Sequence, residues 1–330
     1  MSEDPSSAER EQRRLEREAR RTGTQPEPVR KEPKAPKPAK TSKPGPAHSN
    51  RRRLGVALAL GVALLGLAAI AAVAYRHFHR STPPPVVLRT ITVTIPEGYT
   101  RPQTAEIARQ EGLRGSYLKE SAHSKYLNPA KYGGKDAKDL EGFLFPDTFE
   151  LEKHARAADL VQLQLEDFKR RIAGVDMSYA RSKNLTVYDV VTIASMIEHE
   201  AGVASQRKLV AAVIYNRLHE GMPLGIDATT RFATGNYTHP LTESELAIDS
   251  PYNTRTHAGL PPGPIGSPGL ASIEAAAHPA KAGFLYYVAE PGTCNKLAFS
   301  STEAEFNADV ERYDSAREAA GGNSPDTCGE

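Results

Sequence analysis

Between Leu54 and Ala74 the chain runs for 21 residues without a charge, LGVALALGVALLGLAAIAAVA. As a helix rising 1.5 Å per residue, such a run reaches about 30 Å, the thickness of a bilayer's hydrocarbon core. Nothing else in the sequence restricts the fold as strongly, because a spanning segment puts the residues on its two sides in different solvents. Arg51, Arg52 and Arg53 stand directly before the run, and a Lys/Pro-rich stretch lies upstream. The positive-inside rule therefore predicts a cytoplasmic N-terminus and an extracytoplasmic chain after Arg76. The rival is a cleaved signal peptide, against which stand the long leading segment and an apolar run beyond the usual 7–15 residues.

The formal charge of +2 conceals an asymmetry. Residues 1–53 hold 15 Lys/Arg against 8 Asp/Glu, whereas residues 81–330 hold 25 against 32. A basic nucleic-acid-binding face on the large extracytoplasmic part is thus unsupported. The expected organisation is a disordered basic cytoplasmic tail (1–53), a transmembrane helix (54–74) and a linker (75–89) containing the stiff STPPP. Beyond these come a small α/β subdomain forming one wall of a cleft (90–170), a glutamate-bearing α+β domain (171–315) and a C-terminal tail (316–330). Cys294 and Cys328 both fall on the predicted outer side, where a disulfide is permitted and would contribute roughly 3–4 kcal/mol.

Within the large part, Thr90–Ile95 alternates as a strand should, and Pro96-Glu97-Gly98 turns the chain. Helices are expected over 100–111, 158–172, 185–200, 204–218 and 270–277, a buried strand over 284–288, and a closing helix from 303. The segment EGFLFPDTFE (141–150) reads as a loop or strand packed on the core, holding Glu141 and Asp147 near apolar surface. From Gly221 to Gly269 no long periodic segment survives, and loops of that length in a compact domain are usually functional or disordered.

The segment IASMIEHEAG (193–202) carries two carboxylates into an apolar helix, where such groups need a partner or a task. On a helical wheel Glu200 falls between Ile193 and Met196, inside the apolar arc. Glu198 lies about 160° away at the opposite margin, and Thr192, Ser195 and His199 form the polar side. The two acids are too far apart to act as a close dyad. A carboxyl in an apolar wall has its pKa raised by desolvation, as a general acid at neutral pH requires. Glu200 is the better candidate, next to Gly202 where a substrate could come close; the bland alternative is an ion pair with Arg207. For Glu198 an ion pair or helix-end hydrogen bond is the simpler reading. A zincin is excluded because the second histidine position of HExxH is Val203, and no phosphate-binding glycine motif occurs. No cofactor and no metal are expected.

The chain resembles the MltG (YceG-like) family, the membrane-anchored endolytic murein transglycosylases of bacteria. The resemblance rests on TIPEG (94–98), EGFLFPDTFE (141–150), IASMIEHEAG (193–202), VAAVIYNRL (210–218), GMPLGIDATT (221–230), YNT (252–254), GLPPGPIGSPG (259–269) and AAAHPA (275–280), in family order. It implies that Glu200 is catalytic. It further implies cleavage of the MurNAc–GlcNAc β-1,4 bond of nascent glycan strands to leave 1,6-anhydro-MurNAc ends, terminating strand elongation. Asp227, Thr229, Tyr252, Asn253 and Thr254 are the expected substrate contacts, with Glu198, Glu141, Phe145 and Asp147 in support. Expected partners are nascent peptidoglycan strands and the bilayer, with glycan polymerases and elongation proteins implied by the family; the expected location is the bacterial cell membrane. The chain departs from the family at Gly225 and Phe306, and the first LysM-like module is expected to be missing. A non-catalytic glycan-binding or scaffold protein is the alternative from another class. An ordinary muramidase is a third reading and would need Asp227 to activate water.

Overall fold

Thr90, Thr92 and Thr94 alternate with Ile91 and Val93, and the structure uses that alternation directly. In the computed structural model, which describes residues 50–78 and 90–325, strand β1 (Thr90–Thr94) turns Val93 into the core. Two units are present, residues 1–84 and 85–330.

In the first unit, Asn50–Phe78 forms a 29-residue helix, α1, that contains the whole apolar run. Its described side chains, at 61 and 63–76, include Leu64, Leu65, Leu67, Ile70 and Val73, all 63–73% exposed. Among the described residues no helix is long and apolar enough to cross a membrane; the predicted span begins at Leu54, ahead of those side chains. The basic tail to residue 49 and the linker from 79 to 89 lie outside the described residues, as does Cys328. Cys294, the chain's other cysteine, is disulfide-bonded.

In the second unit, α2 (Arg101–Gln110) starts at a capping box in which Thr100 and Gln103 satisfy each other's backbone N–H groups. A one-turn helix, α3 (Tyr117–Glu120), and a 3₁₀ turn (Pro129–Tyr132) lead to β2 (Thr148–Glu152). The β1–β2 pair is antiparallel with Val93 opposite Phe149 and Ile91 opposite Leu151. The region is therefore α+β, where a small α/β subdomain was expected. Next come α4 (Ala157–Ile172), α5 (Ser178–Ser182), α6 (Val187–Glu200), a 3₁₀ turn (Ala204–Gln206) and α7 (Arg207–Glu220). The chain continues through α8 (Asp227–Thr234), α9 (Glu243–Leu246), α10 (Leu270–Ala277), the antiparallel pair β3 (Tyr286–Ala289) and β4 (Leu297–Ser300), and α11 (Glu303–Ala319).

One apolar core runs from Val93 through Phe143, Phe168, Ile193 and Ile214 to Ile273. The two regions that the sequence set apart at residue 170 thus share their interior. Helix α6 lies at its centre. Every residue from Val190 to Ile197 is buried, so Thr192 and Ser195, two of the three residues on the side of the wheel taken as polar, face inward, while His199 is exposed. Both hydroxyls are satisfied there. Thr192 Oγ1 donates to Tyr188 O (2.9 Å), while Ser195 Oγ donates to Thr192 O (2.8 Å) and accepts Ile265 N–H (3.0 Å). Ala275, Ala276 and Ala277 of α10, each at most 2% exposed, present a small-residue surface that lets α10 pack closely on α6.

Candidate active site

Helix α6 begins at a reciprocal cap between Thr186 and Asp189 and ends at Glu200. Its buried flanks fix the axis, so the last turn delivers two carboxylates in fixed directions. Glu198 is pinned: Oε2 accepts the N–H of Gly269 at 2.9 Å, and Oε1 lies 3.4 Å from Arg207 Nη2, with the two side chains 7% and 18% exposed. Burial, and then the nearby Glu198 carboxylate, hold Glu97 above the usual carboxylate range. Glu198 therefore ties the start of α10 and the start of α7 to the end of α6. That matches the simpler of its two sequence readings, and it gives Arg207 to Glu198.

Glu200 points elsewhere. Tyr287 Oη, on β3, donates to Glu200 Oε2 at 2.9 Å. Desolvation pushes the Glu200 carboxyl up to about 7, with Asp227 adding to the rise and the Tyr287 hydrogen bond, Arg255 and Arg217 opposing it. Its place at the C-terminal, electronegative end of α6 works in the same direction as burial. The cations are themselves occupied. Arg255 Nε donates to Asp227 Oδ1 at 2.8 Å. Arg217 donates to the carbonyls of Leu285 (2.6 Å) and Leu224 (2.7 Å) and lies 5.4 Å over the Tyr286 ring. Glu200 is left near half-ionisation at neutral pH, a state from which a carboxyl can both give and take a proton.

Of the residues expected to contact a ligand, Asp227 at the start of α8 reaches this neighbourhood; its side chain is 48% exposed. Tyr252 is half-buried against Phe232, ring centroids 4.9 Å apart. Thr229, Asn253 and Thr254 are a correction: all three are at most 1% exposed, and their polar atoms are spent on the loop. Thr254 Oγ1 and Thr229 Oγ1 lie 2.9 Å apart, Ile226 N–H donates to Thr254 Oγ1 (3.0 Å), and Gly225 N–H donates to Thr254 O (2.9 Å). Asn253 Nδ2 donates to Leu246 O (3.0 Å) and Ile248 O (2.9 Å), and its Oδ1 accepts Arg255 N–H at 3.1 Å. Small polar residues in a turn-rich stretch look alike in sequence whether they face a ligand or fasten the loop.

The supporting wall also has structural duties. Glu141, 8% exposed, accepts the N–H of Arg101 at the start of α2 at 3.0 Å, and burial pushes its carboxyl up to about 8. Asp147 pairs with Arg171 at 2.8 Å, and that guanidinium lies 5.3 Å over the buried Phe145 ring. At Gly202 a Cβ would meet Asn295 Cβ at 2.6 Å, so the β3–β4 turn comes close to the end of α6 there. Phe306 stacks on Tyr286 at 5.1 Å. Among the described residues, no group of three or more His, Cys, Asp or Glu side chains is arranged to hold a metal ion.

Sequence reasoning missed Tyr287, Arg255 and Arg217 as neighbours of Glu200. The FLYYV segment offered one signal, since a tyrosine on a buried strand needs a partner for its hydroxyl.

The fold and site define an α+β protein in which a buried helix ends at a desolvated acid held by a tyrosine hydroxyl. The chain belongs to the YceG-like family, whose model matches residues 69–312. It is 33% identical over 250 residues to the endolytic murein transglycosylase of Streptococcus pneumoniae R6, covering 67% of this chain and 44% of that protein. It is 35% identical over 179 residues to the endolytic murein transglycosylase of Bacillus subtilis, covering 54% of this chain and 49% of that protein. The chain thus spans less than half the length of these relatives. A crystal structure of a yceG-like protein from Listeria monocytogenes superposes with a TM-score of 0.58 at 33% identity, over 67% of this chain and 76% of that one.

Proposed function

We propose that this chain is an endolytic peptidoglycan transglycosylase that cleaves the MurNAc–GlcNAc β-1,4 bond of nascent glycan strands. Neutral Glu200 protonates the glycosidic oxygen as the C1–O bond breaks and oxocarbenium character develops. The C6 hydroxyl of the same MurNAc closes on C1, and the Glu200 carboxylate takes its proton. The sugar ends as 1,6-anhydro-MurNAc, Glu200 ends protonated, and no water is consumed. Because the nucleophile is intramolecular, one acid is enough.

The observation that carries the reading is the state of Glu200: desolvated, raised to about 7, and without the arginine that neutralises its helix neighbour. Asp227, the applicant for water activation in a hydrolase, is committed to Arg255, which favours transglycosylation over hydrolysis. The names of the pneumococcal and B. subtilis relatives give the same activity. The uncharged run 54–74, with three arginines before it, supports a single-pass anchor in the bacterial cell membrane with the Glu200 domain outside. Strand termination near the glycan polymerases is the role that fits that placement.

The test is product analysis. The full chain in detergent is incubated with uncrosslinked glycan strands, and the new ends are identified by mass. Anhydro ends from the parent and none from Glu200→Gln are expected. Reducing ends would mean a hydrolase, and intact strands that still bind would mean a scaffold protein.

A further inference from the structure

We propose that Tyr287 is a positioning residue for Glu200: its hydroxyl occupies Oε2, so that Oε1 is the oxygen that gives and recovers the proton. The inference rests on the acid–base reading of Glu200 and adds to it the oxygen that performs each step.

The two oxygens of a carboxyl are equivalent until something distinguishes them. Here Tyr287 Oη sits 2.9 Å from Oε2, and among the described residues no other side chain hydrogen-bonds the Glu200 carboxyl. On this assignment the Tyr287 hydroxyl donates to Oε2 in both protonation states, and the acidic hydrogen resides on Oε1, the oxygen without that donor. In the forward step the Oε1–H proton passes to the leaving O4 as C1–O4 breaks. As the C6–O–C1 bond forms, the C6 hydroxyl proton returns to Oε1. Between these events Glu200 is an anion, and the Tyr287 hydroxyl supplies a charge-assisted hydrogen bond at that moment.

Tyr287 is held for this task. It lies on β3 opposite Phe299 of β4, and the two rings lie 6.0 Å apart. Its phenol is pushed well above its ordinary range by burial and by the adjacent Glu200 charge, so it stays a donor throughout the working pH range. The other charged groups around Glu200 come from separate elements. Asp227 is on α8, Arg255 in the loop after α9 and Arg217 on α7, while Glu198, on α6 itself, is engaged by Arg207 and Gly269. Each of these acts on Glu200 through space; Tyr287 acts through a bond that selects one oxygen.

The experiment compares Tyr287→Phe, Glu200→Gln and Phe299→Leu with the parent, all as the full chain in detergent on uncrosslinked strands, across pH. Losing the donor to the carboxylate weakens the anion, so Tyr287→Phe should move the alkaline limb of kcat/KM to higher pH. It should also lower kcat by about 10-fold with KM within about two-fold, the scale of one charge-assisted hydrogen bond. Phe299→Leu disturbs the same packing and keeps the hydroxyl, so its limb should stay where the parent's is. An unmoved limb in Tyr287→Phe overturns the assignment whatever happens to kcat, because a packing role alone lowers activity evenly across pH. Cleavage by Glu200→Gln at the parent's rate would instead sink the reading of Glu200 itself.

Discussion

Arg207 Nη2 lies 3.4 Å from Glu198 Oε1, and the cation that could have neutralised Glu200 is thereby spent on its neighbour two residues earlier. The consequence is a division of labour within one helical turn. Glu198 is paired and fastens three segments together, while Glu200 is desolvated and holds a proton near neutrality.

Removing one partner of the Glu198–Arg207 pair should destabilise the fold while sparing the chemistry. Glu198→Gln and Arg207→Met are each expected to cost about 2–4 kcal/mol in urea unfolding, because the remaining charge stays largely buried. Cleavage per folded molecule should fall far less than in Glu200→Gln. Equal losses of activity in Glu198→Gln and Glu200→Gln would contradict the division.

The raised Glu200 pKa has two pH consequences with definite signs. Activity that needs the protonated acid should fall about 10-fold per pH unit above about 7. Stability should also fall with rising pH. The unfolded side chain ionises near 4.5 and the folded one near 7, so between these values the unfolded state holds fewer protons and gains. Glu200→Gln should remove that loss, leaving the variant about 1–2 kcal/mol more stable than the parent at pH 8 and equal at pH 4, after discounting for partial exposure. Thermal unfolding at the two pH values reads the difference.

Asn253 separates loop fastening from ligand contact. Asn253→Ala removes the hydrogen bonds to Leu246 O, Ile248 O and Arg255 N–H at a fully buried site, and should cost about 2–4 kcal/mol. With its loop loosened, the Arg255–Asp227 pair should lose definition and KM should rise. If stability is unchanged and only KM rises, Asn253 touches the glycan after all.

Gly266→Ala tests the junction between the TIPEG turn and the 259–269 loop. A Cβ there would fall 2.2 Å from Gly98 O, a backbone atom that cannot rotate away. Gly98 N–H donates to Ser267 O (2.8 Å) and Ser267 N–H to Tyr99 O (3.0 Å), so the whole register would have to open. A loss of about 2–3 kcal/mol is expected by chemical denaturation.

Much of the fold was legible because local rules sufficed. The threonine alternation of 90–94, the capping residues Thr100 and Thr186, and the alanines of 270–277 each encode their element through near neighbours. The miss at α8 is equally physical: DATTRFAT is short and rich in threonine, and it becomes helical with Thr229 and Thr230 buried against the YNT turn. The site divided in the same way. The wheel placed Glu200 in the apolar arc and separated it from Glu198. It also grouped Thr192 and Ser195 with His199 on the polar side, because a wheel cannot foresee that α10 and the loop at Ile265 cover Thr192 and Ser195.

The sequence by itself determined the helix that carries Glu200, the spacing that parts it from Glu198 and the family to which the motifs belong. These come from periodicity and order along the chain. Tertiary structure alone decided that Arg207 goes to Glu198, that Tyr287 from a strand 87 residues away reaches Glu200, and that Asn253 and Thr254 turn inward. A pKa or a hydrogen-bond partner is set by what lies within a few ångströms, and those neighbours are brought together only when distant segments pack.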